Sequence, residues 1–158
     1  MKWVASVGTV AAGGNGAGSN SNQLNYPGGV VFDASATVLY ISNAFSNNIK
    51  RWVIGSLTGT VIAGDSSGNS GSTSLLLDNP MGLAMDTSGN IYVADTNNCR
   101  VQLFLAGSNN GTTIAGISGT CGTTATMLAS PTAVSVDSAL NVYVTDRSSN
   151  RVMKYVPY

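Results

Sequence analysis

The chain has 158 residues, with seven basic residues, seven acidic residues, no His and no formal net charge. This length suits about one domain, and the balanced charge argues against a nucleic-acid partner, because nucleic-acid-binding domains usually carry a basic excess. Because it has no His, this chain alone can build neither a His-ligated metal site nor a Ser–His or Cys–His pair, and its acidic residues are all Asp.

Other large classes are also disfavoured. No run of about 18 apolar residues occurs, so the sequence predicts no membrane span. It contains 19 Gly, with many Ser, Thr and Asn between short apolar runs. That composition predicts short strands and many turns rather than helices.

Three similar units follow one another along the chain at intervals of about 50 residues, a spacing typical of repeat proteins. Their first strands align on a proline and read YPGGVVFD (26–33), NPMGLAMD (79–86) and SPTAVSVD (130–137). The second strands read VLYISN, NIYVAD and NVYVTD, and the third strands read NIKRWV, RVQLFL and RVMKYV. Fourth strands are predicted at TVIAG (60–64) and TTIAG (112–116), and the N-terminal TVAAG (9–13) matches them.

Four antiparallel strands per repeat are typical of a β-propeller blade. The sequence therefore predicts an all-β chain, residues 1–158, that forms a single propeller segment of three blades. The repeat units span about 26–64, 79–116 and 130–156.

The repeat resembles the NHL repeat, and residues 80–101, with GNIYVADTNNCRV at 89–101, match its pattern most closely. The third unit has Ala133 in place of the motif Gly, and the first has Asn43 and Asn48 in place of Asp and Arg. The resemblance implies a propeller of six blades and a role in protein or ligand interaction.

An Asp five residues before an Arg recurs at the turn between the second and third strands. The pairs are Asp95 with Arg100 and Asp146 with Arg151. A catalytic residue is needed once, whereas a structural residue is needed in every blade. We therefore interpret both pairs as structural, each holding its turn by hydrogen bonds and ion pairing.

A second Asp set begins the turns between first and second strands, as in DTSGN (86–90). DTSGN and DSSGN (65–69) resemble the start of a calcium loop, but such a loop needs further carboxylates and a closing Glu, which the chain lacks. We predict a hairpin turn in which Gly89 adopts a positive φ. The sequence predicts no metal site, no cofactor and no catalytic residue.

Cys99 begins the third strand of the second unit, and Cys121 follows its fourth strand. Those positions are neighbours at one edge of an up-and-down blade, so the sequence predicts a Cys99–Cys121 disulfide, the alternative being two inert thiols. A disulfide favours an extracellular or otherwise oxidising location.

The third unit stops after its third strand, whereas residues 2–13 resemble the end of a blade. We therefore expect residues 2–13 to act as a closing strand, with two chains forming a homodimer of six blades. The alternative is a fragment of a longer chain that supplies the other blades.

The preferred function is a non-enzymatic scaffold that binds an unknown protein, small molecule or glycan through loops on one face. Those loops are 44–47, 96–99, 147–150, 65–79 and 117–130, and their unpatterned candidates for ligand contact are Asp65, Asp78 and Arg147. The alternatives are a sugar-binding propeller and a fragment of a larger propeller enzyme whose active site lies elsewhere.

Overall fold

The computed structural model describes residues 7–157 and shows three antiparallel sheets, one from each sequence repeat. The first sheet consists of β1 (Pro27–Asp33), β2 (Val38–Asn43), β3 (Asn48–Val53) and β4 (Thr60–Gly64). The second consists of β5 (Pro80–Met85), β6 (Ile91–Asp95), β7 (Arg100–Phe104) and β8 (Gly111–Gly116). The third consists of β9 (Pro131–Val136), β10 (Val142–Asp146) and β11 (Arg151–Tyr155).

Within each sheet the strands lie in chain order, joined by hairpins. This arrangement confirms the predicted all-β class and is consistent with propeller blades. Short 3₁₀ helices, Ala44–Ser46 and Arg147–Ser149, follow β2 and β10. No helix in the described ranges is long and apolar enough to cross a bilayer.

Apolar side chains fill the two spaces between neighbouring sheets. The cluster between the first and second sheets contains Ile49, Leu77, Ile91, Val93 and Phe104. The cluster between the second and third contains Tyr92, Val101, Leu128, Val134 and Val144. Because alternate residues of a strand point to opposite faces, β6 supplies both clusters and is buried along its whole length. Each fully buried aliphatic side chain contributes about 1.5–3 kcal/mol, so the sheets are held by stacking face to face.

The turns between first and second strands are fixed by a repeated carboxylate network. Asp86 accepts hydrogen bonds from the backbone N–H of Ser88, from the backbone and side chain of Asn90 and from the Tyr92 hydroxyl. The same contacts recur one repeat later, around Asp137. Gly89 has the predicted positive φ, 79°. DTSGN is therefore a hairpin turn whose carboxylate is occupied by its own loop.

The first strands of neighbouring sheets contact each other and come close together at two glycines. A Cβ added to Gly29 would lie 2.6 Å from the Met81 carbonyl oxygen. One added to Gly82 would lie 2.5 Å from the Ala133 Cα. Glycine is needed here because the neighbouring backbone occupies the space of a side chain.

The predicted strand at TVAAG (9–13) does not form, and Val10 is 76% exposed. The first part of the predicted closing segment, residues 2–6, lies outside the described residues. The first sheet already has the four strands of its repeat, β1 to β4, and residues 9–13 pair with none of them.

We predict that Gly82→Ala lowers the free energy of unfolding by about 1–3 kcal/mol, because the added methyl group overpacks the joint between the second and third sheets. Urea denaturation measures the change. Gly8→Ala is the matched control, since no atom lies within 4 Å of the Gly8 position, and it should have no effect. Equal stability of both variants would contradict the close-packed joint.

We also predict that stability falls below about pH 4. Hydrogen bonds hold the pKa of several Asp carboxyls below the ordinary value of 3.8, against the opposing effect of burial; these are Asp33, Asp65, Asp86, Asp137 and Asp146. A depressed folded pKa stabilises the fold above the unfolded value, and that contribution is lost as pH falls through the folded value. Burial raises the pKa of Asp95, which acts in the opposite direction.

Urea denaturation at pH 7, 5 and 3 tests this expectation. Asp137→Asn should be less stable at pH 7 and should lose less stability on acidification, because Asn cannot be protonated. A constant free energy of unfolding across this range would contradict it.

Candidate functional site: the loop face

The loops that join second to third strands contact the loops that join successive sheets. The side-chain amide of Asn47 donates to the Gly68 carbonyl at 2.9 Å, and that of Asn98 donates to the Gly71 carbonyl at 2.8 Å. We call this end of the sheets the loop face; it comprises residues 14–26, 44–47, 65–79, 96–99, 117–130 and 147–150. The loops predicted to share one face therefore do so.

At the centre of the second sheet's part of this face, Asp95 and Arg100 form a buried ion pair. The Arg100 Nε lies 2.8 Å from the Asp95 Oδ2, and both side chains are almost fully shielded from solvent. Asp95 also accepts from the Asp78 backbone N–H at 2.7 Å and from the Asn98 amide at 2.9 Å. The carboxylate therefore ties the strand end to the preceding loop.

Arg100 uses all five of its N–H donors. One donates to Asp95, three donate to backbone carbonyls and one donates to the Ser118 hydroxyl at 2.8 Å. The three carbonyls belong to Ser72, Thr73 and Leu76, at 2.7–2.9 Å. Because every donor has a partner, the guanidinium is buried without an unsatisfied group. We call this contact between a cation and three loop carbonyls the carbonyl clamp.

The third sheet repeats the clamp. Arg151 donates to Asp146 at 3.0 Å and to the carbonyls of Thr123, Thr124 and Met127. Those carbonyls occupy the repeat positions of Ser72, Thr73 and Leu76. The structural role predicted for both Asp–Arg pairs fits these contacts, which close loops and leave neither carboxylate open to a substrate.

The first sheet builds the clamp from a residue that the sequence analysis did not identify, Lys50. Asn43 and Asn48 hydrogen-bond to each other at 3.2 Å, but neither reaches the preceding loop carbonyls. Lys50 does so from two residues further along β3. Its ammonium donates to the carbonyls of Ser19, Asn20 and Gln23, at 3.3, 2.6 and 2.7 Å.

All three ammonium donors of Lys50 are therefore satisfied, and the residue is only 1% exposed. Burial lowers the pKa of this ammonium. Gln102 and Met153 stand at the same position in the other repeats. The sequence did carry a signal for this role: among the three repeats, the one that lacks Arg two residues earlier is the one with Lys at this position.

Cys99 and Cys121, which are 22 positions apart in sequence, form the predicted disulfide, with Cα atoms 5.2 Å apart. The bond joins the loop before β7 to the loop after β8, on the loop face. It therefore adds a covalent link to the end of the second sheet that the Arg100 clamp already holds.

The three predicted ligand contacts are not brought together. Asp65 accepts from the backbone of Ser67 and from Asn69 within its own loop. Asp78 accepts from the Asn97 amide at 2.9 Å. Arg147 lies on the exposed part of a 3₁₀ helix. Within residues 7–157, no hydrogen bond or ion pair joins any two of the three, and no group of three or more Cys or Asp is placed to hold a metal ion.

The loop face instead carries an exposed aromatic pair that the sequence analysis missed. The rings of Tyr26 and Phe45 are stacked, with centroids 4.5 Å apart and an interplanar angle of 8°. They remain 58% and 59% exposed. Two backbone hydrogen bonds hold the pair: the Ala44 N–H donates to the Tyr26 carbonyl and the Phe45 N–H donates to the Asn25 carbonyl.

This aromatic pair departs from the repeat. Tyr26 has φ 54°, a left-handed conformation that is strained for a large side chain, and its counterpart in the second repeat is Asn79, with φ 52°. Phe45 has Asn97 and Ser148 as counterparts. Polar residues occupy these positions in the other repeats, so the fold by itself does not require two aromatic rings here.

We predict that Arg100→Asn lowers the free energy of unfolding by about 3–5 kcal/mol, because it leaves Asp95 buried without its cation. The triple variant Asp95→Asn/Arg100→Asn/Gln102→Lys rebuilds the arrangement of the first sheet and should recover at least half of that loss. Urea denaturation measures both. Arg147→Asn, an exposed arginine, is the control and should change stability by less than about 0.5 kcal/mol. A triple variant no more stable than Arg100→Asn would contradict the equivalence of the two clamps.

Comparison with known proteins agrees with this repeat structure. The model of the NHL repeat matches residues 77–104 and 128–155. A search of curated protein sequences found no significant match.

Several solved structures share the fold at low sequence identity. A structural genomics protein of unknown function from Bacteroides thetaiotaomicron is 14% identical with a TM-score of 0.68, over 80% of this chain and 34% of that one. An auxiliary nutrient binding protein from the same species is 17% identical with a TM-score of 0.66, over 79% of this chain and 36% of that one. A gluconolactonase from Xanthomonas campestris is 15% identical with a TM-score of 0.57, over 80% of this chain and 36% of that one.

The chain spans about a third of the length of these structures, and at such identities the likeness concerns the fold alone. The NHL model covers the strands that carry both Asp–Arg clamps. It confirms the resemblance found at residues 80–101: the chain contains NHL repeats at residues 77–104 and 128–155.

Proposed function

We propose that the chain is a non-enzymatic binding scaffold that presents the loop face to a protein or small-molecule ligand. The observation that carries the proposal is the Tyr26–Phe45 stack. Exposed aromatic rings supply a large contact area at low cost in side-chain entropy. Tyr26 ends the loop that the Lys50 clamp holds, and the Phe45 N–H donates to that loop at the Asn25 carbonyl. A rigid scaffold with an exposed aromatic anchor is typical of a binding surface.

Carbohydrate is the second candidate ligand, favoured by the chemistry around the stack. Residues 15–26 contain four Asn, one Gln and two Ser but no charged residue. Flat aromatic faces with neutral hydrogen-bonding groups suit a sugar better than a charged ligand. A nutrient-binding protein among the similar folds is in keeping with this candidate.

The chemistry of the chain favours binding over catalysis. It has neither His nor Glu, and six of its seven Asp carboxylates accept two or more hydrogen bonds from nearby loops or paired arginines. Asp65 and Arg147 remain candidates for peripheral contacts on the loop face, and Asp78 for positioning its loop. The alternative is a segment of a larger propeller enzyme with its active site elsewhere, and a gluconolactonase is among the similar folds. The disulfide favours an oxidising location such as the extracellular space.

We predict that Phe45→Ala weakens ligand binding at least tenfold while changing the free energy of unfolding by less than about 0.5 kcal/mol, because the ring is mostly exposed. The ligand is first sought on arrays of neutral oligosaccharides and of peptides, and affinity is then measured by calorimetry. Leu105→Ala is the matched control, since Leu105 is 58% exposed but follows β7 at the other end of the sheet. It should leave binding unchanged.

Tyr26→Asn separates stability from binding. Asn tolerates the left-handed conformation that Tyr26 adopts, so this variant should gain up to about 1 kcal/mol of stability and still lose binding. If neither array yields a ligand whose affinity depends on Phe45, the loop-face proposal fails. Turnover of a lactone by the unmodified chain would instead support the enzyme alternative.

A further inference from the structure

We infer that the outer edge of β11 accepts residues 9–13 of a second copy of this chain as a fourth strand, so that two copies exchange strands. This inference concerns the edges of the sheets and does not rest on the proposed role of the loop face.

The acceptor is the outer edge of β11. In the other two sheets a fourth strand covers the equivalent edge. In the first sheet β4 pairs with β3, and in the second β8 pairs with β7. Within residues 7–157, no strand pairs with the outer edge of β11. Val152 on that strand is 66% exposed. An uncovered edge of this kind offers a row of backbone donors and acceptors to another strand.

The donor has the sequence and the backbone of a fourth strand. TVAAG (9–13) matches β4, TVIAG, at four of five residues. Gly13 has φ 73°, close to the 79° of Gly64 and the 78° of Gly116, which end β4 and β8. Val10 is exposed, as expected of a strand whose partner is missing. Gly13 therefore already has the conformation that ends β4 and β8, although residues 9–13 pair with no strand.

The order of the repeats shows where this strand belongs. β4 lies in the first sheet and leads into the second, and β8 lies in the second and leads into the third. Residues 14–26 correspond to the loops that follow β4 and β8, and Lys50 clamps them to the first sheet. By the same rule, residues 9–13 belong to a sheet that precedes the first. The third sheet of another copy offers the matching vacant edge.

The pairing in the first two sheets fixes the register. Ile49 pairs with Ala63 and Lys50 with Val61 in the first sheet, with a bulge between. The equivalent pairs are Val152 with Ala12 of the second copy and Met153 with Val10 of the second copy, with Ala11 in the bulge. Gly13 then meets the carbonyl of Asn150, as Gly64 meets that of Asn47.

Two such exchanges close a ring. Apolar residues remain exposed on the first sheet, such as Val30 and Phe32, and this sheet would pack on the third sheet of the other copy. The joint differs from those within one chain, because Ala133 occupies the position of Gly29 and Gly82. Its methyl group sets the copies slightly further apart than neighbouring sheets in one chain.

Light scattering after size exclusion provides the first test. The intact chain should have about twice the 16.1 kDa mass of one copy. The Ala12→Arg variant should be monomeric, because it places a charge at the position of the buried Ala63 and Ala115. Its three sheets should be as stable as those of the intact chain. Ala17→Arg, exposed and outside the strand, is the control and should remain dimeric. An intact chain that is monomeric at every concentration would overturn the inference.

Cross-linking tests the register without relying on a destabilised variant. A chain carrying Ala12→Cys is mixed with one carrying Val152→Cys and mildly oxidised. Mass spectrometry should find a disulfide between the two chains at these positions, and the native Cys99–Cys121 bond should be unchanged. Ala11→Cys, in the bulge, should cross-link at least tenfold less. Equal cross-linking by both, or a bond formed only within one chain that carries both substitutions, would sink the exchanged strand.

Discussion

Each sheet depends on one cation that is surrounded by backbone carbonyls of the loop before it. Arg100 and Arg151 provide it in the second and third sheets, and Lys50 provides it in the first. A buried ammonium or guanidinium is costly unless every donor finds an acceptor. The loop must therefore adopt one conformation, in which three carbonyls converge. The clamp thus fixes the connection between sheets, and the position of the loop face follows from it.

The clamp also explains how one repeat can lose its most characteristic residues and keep its structure. Asn43 and Asn48 replace the ion pair with a neutral hydrogen bond. The missing charge returns two residues later, on the same face of β3, because alternate residues of a strand share a face. What is preserved between repeats is the set of three carbonyls and one cation that donates to them, rather than the residue that carries the cation.

The same comparison between repeats separates structure from binding. Contacts that recur, such as the Asp86 and Asp137 networks, hold turns and leave little chemistry free for a ligand. The Tyr26–Phe45 stack does not recur, is exposed and is built on a strained backbone. A large aromatic side chain in a left-handed conformation, where the second repeat has Asn79, is a reason to examine the position for function. Asp65 and Asp78 do not recur either, but their carboxylates already accept hydrogen bonds from Asn69 and Asn97.

The sequence by itself determined most of the strands, the repeat, the Asp95–Arg100 pair and the disulfide. Period-two patterning marks each strand locally, and the repeat then places equivalent strand ends, including those beside Cys99 and Cys121, at the same edge of a sheet. Only the tertiary structure decided the role of Lys50, whose partners are backbone carbonyls 27–31 residues away and carry no side-chain signal. It also decided the aromatic pair, since loop closure brings Tyr26 to Phe45. TVAAG (9–13) marks the limit of local patterning: the segment has the sequence of a strand, but a strand forms only where its backbone pairs with another strand, and residues 9–13 pair with none of β1 to β4.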